Sequence, residues 1–334
     1  MFKINLKFYI LSFISLVFLI IISLMIGRYN ISFLDIKDSF MYIFNKNIKM
    51  TNAMFIILEI RLPRILMALL VGSSLAVSGT CIQAVFKNPL TSPKILGVSS
   101  GAAFGVAFGI MFFKNYIMVY ITSFLFGIFA VFLTYLFAKK NGKTTILSLI
   151  LSGIIVDSLF TSFLTIIQFN ADVESELPSI IYWLMGSLSA VRMKDLKTVF
   201  FPIILCIILI FMLRWKLNIL SLSDEEAESL GFNVKIYKII ILFLVTILSA
   251  ITVSICGIIG WIGLVTPHFV RLFYGTDHIN LIPGTIFFGG FYLLIIDNLS
   301  RSITGSEIPL SIMTAIIGAP LLGFFIKKKG MINL

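Results

Sequence analysis

The sequence predicts an all-α polytopic membrane protein, and three observations lead to that class. Hydrophobic residues make up 59% of the 334 residues and charged residues only 12%, with a mean hydropathy of +1.08. The apolar residues form runs of about 17 to 25 residues, the length that a helix needs to cross a bilayer. Most Lys and Arg residues fall between these runs. Because a bilayer offers no water to unpaired backbone groups, the runs are expected to be helices.

The apolar runs predict about ten transmembrane helices in a single transmembrane domain that covers residues 1–334. The predicted spans lie near residues 8–26, 56–78, 95–113, 117–138, 145–167, 196–213, 236–256, 257–273, 281–300 and 308–326. The seventh and eighth spans are barely separated, so one of them is expected to be broken or re-entrant. Spans two to five and seven to ten are offset by an odd number of spans, which predicts an inverted repeat of four helices.

The distribution of basic residues predicts which ends of the spans lie in the cytoplasm. Lys3 and Lys7 precede the first run, which is longer than a signal-peptide core and is expected to be a retained span. The short loops and the cluster Lys327–Lys329 place more positive charge inside when both termini are cytoplasmic. The net charge of +11 is therefore attributed to membrane topology, and we expect no nucleic-acid partner.

Few residues of the chain suit catalysis or nucleotide binding. Asn141–Thr145 reads NGKTT, but Phe137 stands where a phosphate-binding loop requires glycine. The two histidines, His268 and His278, have no carboxylates or thiolates at ligand spacing, so no metal site is predicted. His268 follows Pro267 and is expected to bond to carbonyl groups that the proline frees. The chain is not expected to be an enzyme.

One strongly acidic segment, Leu217–Gly231, separates two apolar runs and must lie on a membrane surface. Ser223 and Glu226 have the spacing of a capping box, and Gly231 can adopt the left-handed backbone conformation that ends a helix. A helix of about two turns is marginal alone in water, which favours packing against a partner protein. A solvated loop between two spans is the alternative.

Charged residues also occur where they are costly. Asp297 and Arg301 are four residues apart near the outer end of the ninth span and are expected to pair. Arg61 and Arg64 flank the proline at the outer start of the second span, against the orienting bias. Docking of an acidic partner would explain these two arginines. Asp157 is an acid within the fifth span.

Four stretches carry a resemblance to a known family. They are RLPRILMALLVGSSLAVSGTCIQAVFKNPLTSPKILGVSSGA at 61–102, SLSDEEAESLGF at 221–232, GIIGWIGLVTPHFVRL at 257–272 and IPLSIMTAIIGAPLLGFFI from 308. In this order and spacing they resemble the permease subunit of binding-protein-dependent ABC importers for iron-siderophores, haem and vitamin B12, the type II importers. The resemblance covers nearly the whole chain.

The resemblance implies an assembly in a bacterial cell membrane. Two permease subunits, identical or closely related, would enclose one pathway and work by alternating access. Two cytoplasmic ATPase subunits would use ATP and Mg, and an extracytoplasmic binding protein would deliver the cargo. No cofactor is expected on this chain itself.

The resemblance also implies roles for particular residues. The residues expected to couple the permease to the ATPase subunits are Ser223, Asp224, Glu225, Glu226, Ala227, Glu228, Leu230 and Gly231. Binding-protein docking falls on Arg61, Arg64 and Arg301. The translocation path or gate falls on Asn88, Leu90, Thr144 and Thr145. Structural roles are expected for Pro89, Pro267, His268 and Asp297.

An ion-coupled secondary transporter is the competing interpretation, because ten spans and an inverted repeat also suit that class. Such transporters use acids within the membrane, and Asp157 would be the candidate. The cargo, whether a siderophore, haem, cobalamin or another chelate, is left open by the sequence.

Overall fold

The structure is a computed structural model that describes residues 6–45, 50–139 and 144–327. Asn141–Lys143 of the rejected phosphate loop, and Lys328 and Lys329 of the terminal basic cluster, lie outside the described residues. All the helices and turns described below belong to those ranges.

The described residues form helices joined by short connections, which confirms the all-α class. The helices are α1 (Leu6–Met25), α2 (Phe33–Phe44), α3 (Asn52–Phe55), α4 (Leu62–Phe86), α5 (Val98–Phe113), α6 (Tyr116–Ala138), α7 (Ile146–Asn170), α8 (Glu176–Leu184), α9 (Met193–Leu220), α10 (Asp224–Ser229), α11 (Val234–Cys256), α12 (Ile262–Tyr274), α13 (His278–Ser302) and α14 (Leu310–Lys327). A π-helical turn, Ile56–Arg61, joins α3 to α4, so Asn52–Phe86 is one continuous helix of 35 residues. A short 3-10 turn, Pro93–Leu96, precedes α5.

Six helices of the described ranges are long and apolar enough to cross a membrane. They are Asn52–Phe86, α6, α7, α9, α11 and α13. Three shorter apolar helices lie within α1, α5 and α14. With α12, these helices coincide with the ten predicted spans, although α4 continues to Phe86 and α9 covers 193–220. The sequence did not predict α2 and α8, which have only 12 and 9 residues.

The helical structure is interrupted between α11 and α12, at the place where the predicted seventh and eighth spans adjoin. Gly257 ends α11 with a φ of +71°, and Trp261 precedes α12 with a φ of +66°. The carbonyl of Cys256 accepts a hydrogen bond of 2.9 Å from the amide of Ser187. Irregular backbone at membrane depth is tolerated when it is buried in protein in this way.

Helix α4 is at the centre of the helix packing and contacts α9, α11, α12 and α13. Small residues allow this close packing, because association of helices in lipid depends on backbone approach rather than on hydrophobicity. Gly72 lies against Gly289, and Gly79 lies against Gly263. A Cβ atom built at Gly79 would be 1.9 Å from the carbonyl oxygen of Gly263. Only glycine therefore fits at position 79 without moving α12.

The Gly263 carbonyl also shows how α12 accommodates its proline. Pro267 has no N–H to donate four residues back, which frees this carbonyl. The side-chain amide of Gln83 on α4 donates to it at 3.4 Å. The expectation that His268 bonds to a carbonyl freed by Pro267 is wrong, because the His268 Nε2 atom is bonded to the carbonyl of Pro89 at 3.0 Å.

We predict that Gly79→Val destabilises the protein by about 1 to 3 kcal/mol, because the new side chain must push the α12 backbone away. Thermal unfolding in detergent would measure the effect as a lower midpoint. Gly323→Ala is the matched control, since no atom lies within 4 Å of a Cβ built there. Equal midpoints for the two variants would contradict the close contact of α4 with α12.

Candidate functional site

Helix α10 is a short, strongly capped helix on the surface. The Ser223 hydroxyl accepts from the amide of Glu226 at 3.2 Å, and the Glu226 carboxylate accepts from the amide of Ser223 at 2.9 Å. This confirms the predicted capping box. Gly231 has a φ of +74°, which fits the predicted left-handed stop. The helix lies between its predicted N-cap and its predicted stop, whereas the first part of the acidic segment belongs to α9, because Leu217–Leu220 form the last turn of α9 and Ser221–Ser223 separate the two helices.

The outer face of α10 is available for contact. Ala227 faces the protein and is 1% exposed, whereas Leu230 is 67% exposed. The carboxylate residues Asp224, Glu225 and Glu228 are also on the exposed surface. The surface thus combines negative charge with the apolar side chain of Leu230, and it would complement a positively charged surface of a protein partner.

Two lysines attach α10 to the rest of the molecule. The Asp224 carboxylate accepts from the ammonium of Lys87 at 2.6 Å and from that of Lys238 at 2.7 Å. Partial burial raises the pKa of Asp224, but the hydrogen bonds and charges of Lys238 and Lys87 hold it below its usual range. Hydrogen bonds from Ser223 lower the pKa of Glu226. Because Lys87 directly follows α4, the central helix is tied to α10.

The opposite end of α4 carries a buried charge cluster. The Arg64 guanidinium bonds to Asp297 at 2.8 to 3.0 Å and to Glu307 at 2.7 and 3.0 Å. Asp297 is 0% exposed, and Arg301 lies 3.7 Å from it, which confirms the predicted pair four residues apart on α13. The cluster joins α4, α13 and the loop that leads into α14.

The other two arginines bind backbone carbonyls around the end of α1. Arg61 donates to the carbonyls of Leu24 and Met25 at 2.6 and 2.9 Å, and to that of Tyr29 at 2.6 Å. Arg301 donates to the carbonyl of Ser23 at 2.6 Å. A buried guanidinium needs such acceptors to offset its lost hydration.

The three arginines that are predicted to dock the binding protein are buried within this chain. Arg61, Arg64 and Arg301 are 4%, 7% and 7% exposed. Their side chains are already bonded within the protein, so a partner carboxylate could reach them only by exchange. Glu307, with a side chain 27% exposed, is the accessible acid of the cluster. Docking through these arginines stays a prediction.

The proposed gate residues lie in the loop after α4 and at the start of α7. The Asn88 side chain accepts from the amide of Leu90 at 2.9 Å, which fixes a tight turn and leaves Leu90 55% exposed. Leu90 and Asp157 line the same cavity of about 260 Å³. Thr145 is the N-cap of α7, with its hydroxyl accepting from the amide of Ser148 at 3.1 Å. A gating role for Thr144 and Thr145 stays a prediction.

Three contact residues were not found from the sequence. Lys87 and Lys238 hold Asp224, and Glu307 holds Arg64. Their partners are far apart in the chain or across a turn, so no local spacing signals them. Within residues 6–45, 50–139 and 144–327, no group of His, Cys, Asp and Glu side chains is arranged to hold a metal ion.

Comparison with known proteins gives a consistent result over nearly the whole chain. The model of the FecCD transport family matches residues 15–328. The molybdate import system permease protein MolB of Haemophilus influenzae is 41% identical over 273 residues, 82% of this chain and 81% of the relative. A probable iron chelatin transport system permease protein of Helicobacter pylori is 37% identical over 86% of each chain.

The fold is also similar to a solved structure. An inward-facing structure described as a metal-chelate type ABC transporter has a TM-score of 0.88 and 39% sequence identity. The similarity covers 97% of this chain and 100% of that one.

We predict that Asp297→Asn destabilises the protein by about 3 to 5 kcal/mol, because it leaves Arg64 and Arg301 buried without their shared carboxylate. Asp38→Asn makes the same chemical change at an exposed position and is the matched control. Thermal unfolding in detergent would compare both variants with the unsubstituted protein. A melting midpoint for Asp297→Asn equal to that of the control would contradict the structural role of the cluster.

Proposed function

The chain belongs to the FecCD transport family, and from that premise we propose that it imports a metal chelate. It is the permease subunit of an ABC importer and is not itself catalytic, because ATP is used by the ATPase partner. The chelate would pass from an extracytoplasmic binding protein, between two permease subunits, into the cytoplasm of a bacterial cell.

The geometry of α10 is the observation that carries the coupling mechanism. This helix is short, acidic, exposed on one face and bound through Asp224 to Lys87 at the end of the central helix. We infer that α10 seats in the ATPase subunit on the cytoplasmic side. The proposed contact residues are Ser223, Asp224, Glu225, Glu226, Ala227, Glu228, Leu230 and Gly231.

Movement of α10 would reach the opposite side of the membrane through α4. That helix continues from Lys87 back to Arg64, which holds α13 through Asp297. Closure of the ATPases on ATP would rock the paired subunits between outward-open and inward-open arrangements. Such coupling requires that ATP binds one arrangement better than the other. With α10 on the cytoplasmic side, both termini of the chain would also lie in the cytoplasm.

The translocation path would run past the loop that follows α4. Leu90 is exposed there, and the turn fixed by Asn88 holds it in position. Asp157 on α7 lines the same cavity. We propose that Asn88 and Leu90 form a cytoplasmic constriction and that Thr144 and Thr145 contribute at the start of α7.

For the cargo we propose a ferric siderophore or a related chelate such as haem or cobalamin. The solved structure of 0.88 TM-score is described as a metal-chelate type transporter, which supports this class. Molybdate is the second candidate, favoured by the relative of 41% identity that carries that name.

Uptake into proteoliposomes would decide between the cargoes. We expect the reconstituted complex, with its binding protein, to accumulate a radiolabelled ferric siderophore in an ATP-dependent way and to leave labelled molybdate outside. Accumulation of molybdate alone would identify molybdate, and not a chelate, as the cargo. Uptake without ATP, driven by an ion gradient, would instead support the secondary transporter that uses Asp157.

We predict that Glu226→Pro uncouples transport from ATP hydrolysis. The proline removes both bonds of the capping box, and it disfavours the helical conformation of the preceding Glu225. The start of α10 is therefore destabilised, and ATPase activity persists while uptake falls about tenfold or more. Glu226→Ala, which keeps the backbone N–H, is the control for the lost carboxylate. Unchanged ATP-driven uptake by the proline variant would show that α10 does not couple the two subunits.

We also predict that Glu307 competes with the binding protein for Arg64. Glu307→Gln should tighten binding-protein association a few-fold, whereas charge reversal of Arg61 and Arg64 should weaken it in a salt-dependent way. Glu59→Gln, an exposed acid beside Arg61 in sequence, controls for long-range charge. Biosensor titrations at low and high salt would measure both effects. Equal affinity for all variants at low salt would remove the docking role.

A further inference from the structure

A second cavity, of about 410 Å³, lies on the α10 side of the molecule and borders Lys87 and Asn88 of the mechanism above, but the mechanism does not use the cavity itself. It is bounded by the C-terminal ends of α4, α9 and α12 and by the start of α13. The polar side chains that matter here are Gln83, Lys87, Asn218, Arg271, Asp277 and His278. Small-molecule sites usually enclose roughly 300 to 1,000 Å³, so the cavity is of suitable size.

Three buried polar atoms at the walls of this cavity have no hydrogen-bond partner within the described part of the chain. They are Gln83 Oε1, Arg271 Nη1 and His278 Nε2. Gln83 and His278 are only 3% and 6% exposed. Unpartnered buried polar atoms are rare and costly, and three of them around one cavity indicate that a polar ligand completes the site.

Arg271 requires an anion. None of the ion pairs between described residues includes it. The carboxylate that lines the same cavity, Asp277, is bonded to other groups through its Oδ1 atom. It accepts from the Asn218 amide at 2.7 Å and from the amide of Ile279 at 2.9 Å, as the N-cap of α13. Arg271 is half-buried in the last turn of α12, and its Nη1 atom is buried without a partner, so an anionic ligand that reached this atom would be stabilised here.

Gln83 and His278 require hydrogen-bond donors. Asn218 gives its N–H to Asp277, so its oxygen, 2.8 Å from His278 Nδ1, must accept. The neutral ring therefore carries its proton on Nδ1 and presents Nε2 as an acceptor. Gln83 uses its amide nitrogen on the carbonyl of Gly263, which leaves Oε1 as an acceptor too. The complementary ligand is an anion that also carries O–H groups.

We propose that this cavity binds hydrogen phosphate or a hydroxylated phosphate monoester. The planar fork of Arg271 suits phosphate oxygens. The single O–H group of hydrogen phosphate would donate to His278 or to Gln83, and the additional hydroxyl groups of a hydroxylated monoester could donate to the other acceptor. Lys87 adds positive charge at the rim, although it is paired with Asp224. Asp277 disfavours an anion that has no proton to donate. Sulfate, which is fully deprotonated at neutral pH, is therefore expected to bind more weakly than hydrogen phosphate at the same residues.

The position of the site gives it a regulatory consequence. The cavity connects the end of α4 to the end of α9, and α9 leads through Ser221 into α10. A bound phosphate would connect the end of α4, which holds α10 through Lys87, to the end of α9, which leads into α10. This role rests on the coupling function proposed above, whereas binding itself does not.

Equilibrium dialysis with radiolabelled inorganic phosphate tests the site in the complete complex in lipid nanodiscs without ATP. We expect saturable binding that sulfate displaces about tenfold less well than unlabelled phosphate. Displacement by glycerol 3-phosphate distinguishes the sources: stronger competition than that of phosphate assigns the site to an ester, and weaker competition assigns it to the free ion. Equal competition by sulfate and phosphate would overturn the proposal.

Two variants separate this site from phosphate bound by the ATPase subunits. Arg271→Gln should lose about tenfold in phosphate affinity, and His278→Phe should lose the preference over sulfate. Arg214→Gln is the matched control, because Arg214 donates only to a carbonyl of its own helix. Phosphate binding by Arg271→Gln equal to that of the control would assign the signal to the ATPases and remove the site from this chain.

Discussion

The burial of most of α4 is the constraint on which the rest of the structure depends. The most apolar window of Asn52–Phe86 is 83% buried within a single chain. Lipid is as apolar as a leucine side chain, so the hydrophobic effect does not favour a central position for a helix. Close backbone contacts and hydrogen bonds stabilise α4 in that position instead. Gly72 and Gly79 supply the contact with α13 and α12, and Gln83 supplies a bond to a carbonyl that a proline leaves free.

The two ends of α4 extend this constraint to both surfaces. At one end Arg64 is held between the carboxylates of Asp297 and Glu307, and at the other Lys87 holds Asp224 of α10. Charges that would be costly in lipid are thus neutralised within the protein. The ionic contact at each end of the central helix supports the proposed coupling between the ATPase subunits and the binding protein.

Local sequence features were sufficient for the spans, for the capping box of Ser223 and Glu226, and for the pair of Asp297 with Arg301, because each depends on neighbouring residues. The bonds of Arg64 to Glu307 and of Gln83 to the α12 backbone join residues more than 170 positions apart. Periodicity and spacing carry no information on such contacts, so the sequence did not predict the internal partners that bury Arg61, Arg64 and Arg301. The inverted repeat and the site roles stay predictions.

Mass spectrometry of the intact assembly tests the central claim most directly. The chain would be co-expressed with its neighbouring genes and purified in mild detergent. The account predicts two permease subunits, identical or closely related, together with two ATPase subunits. A stable assembly that transports its cargo and contains no ATPase would contradict it.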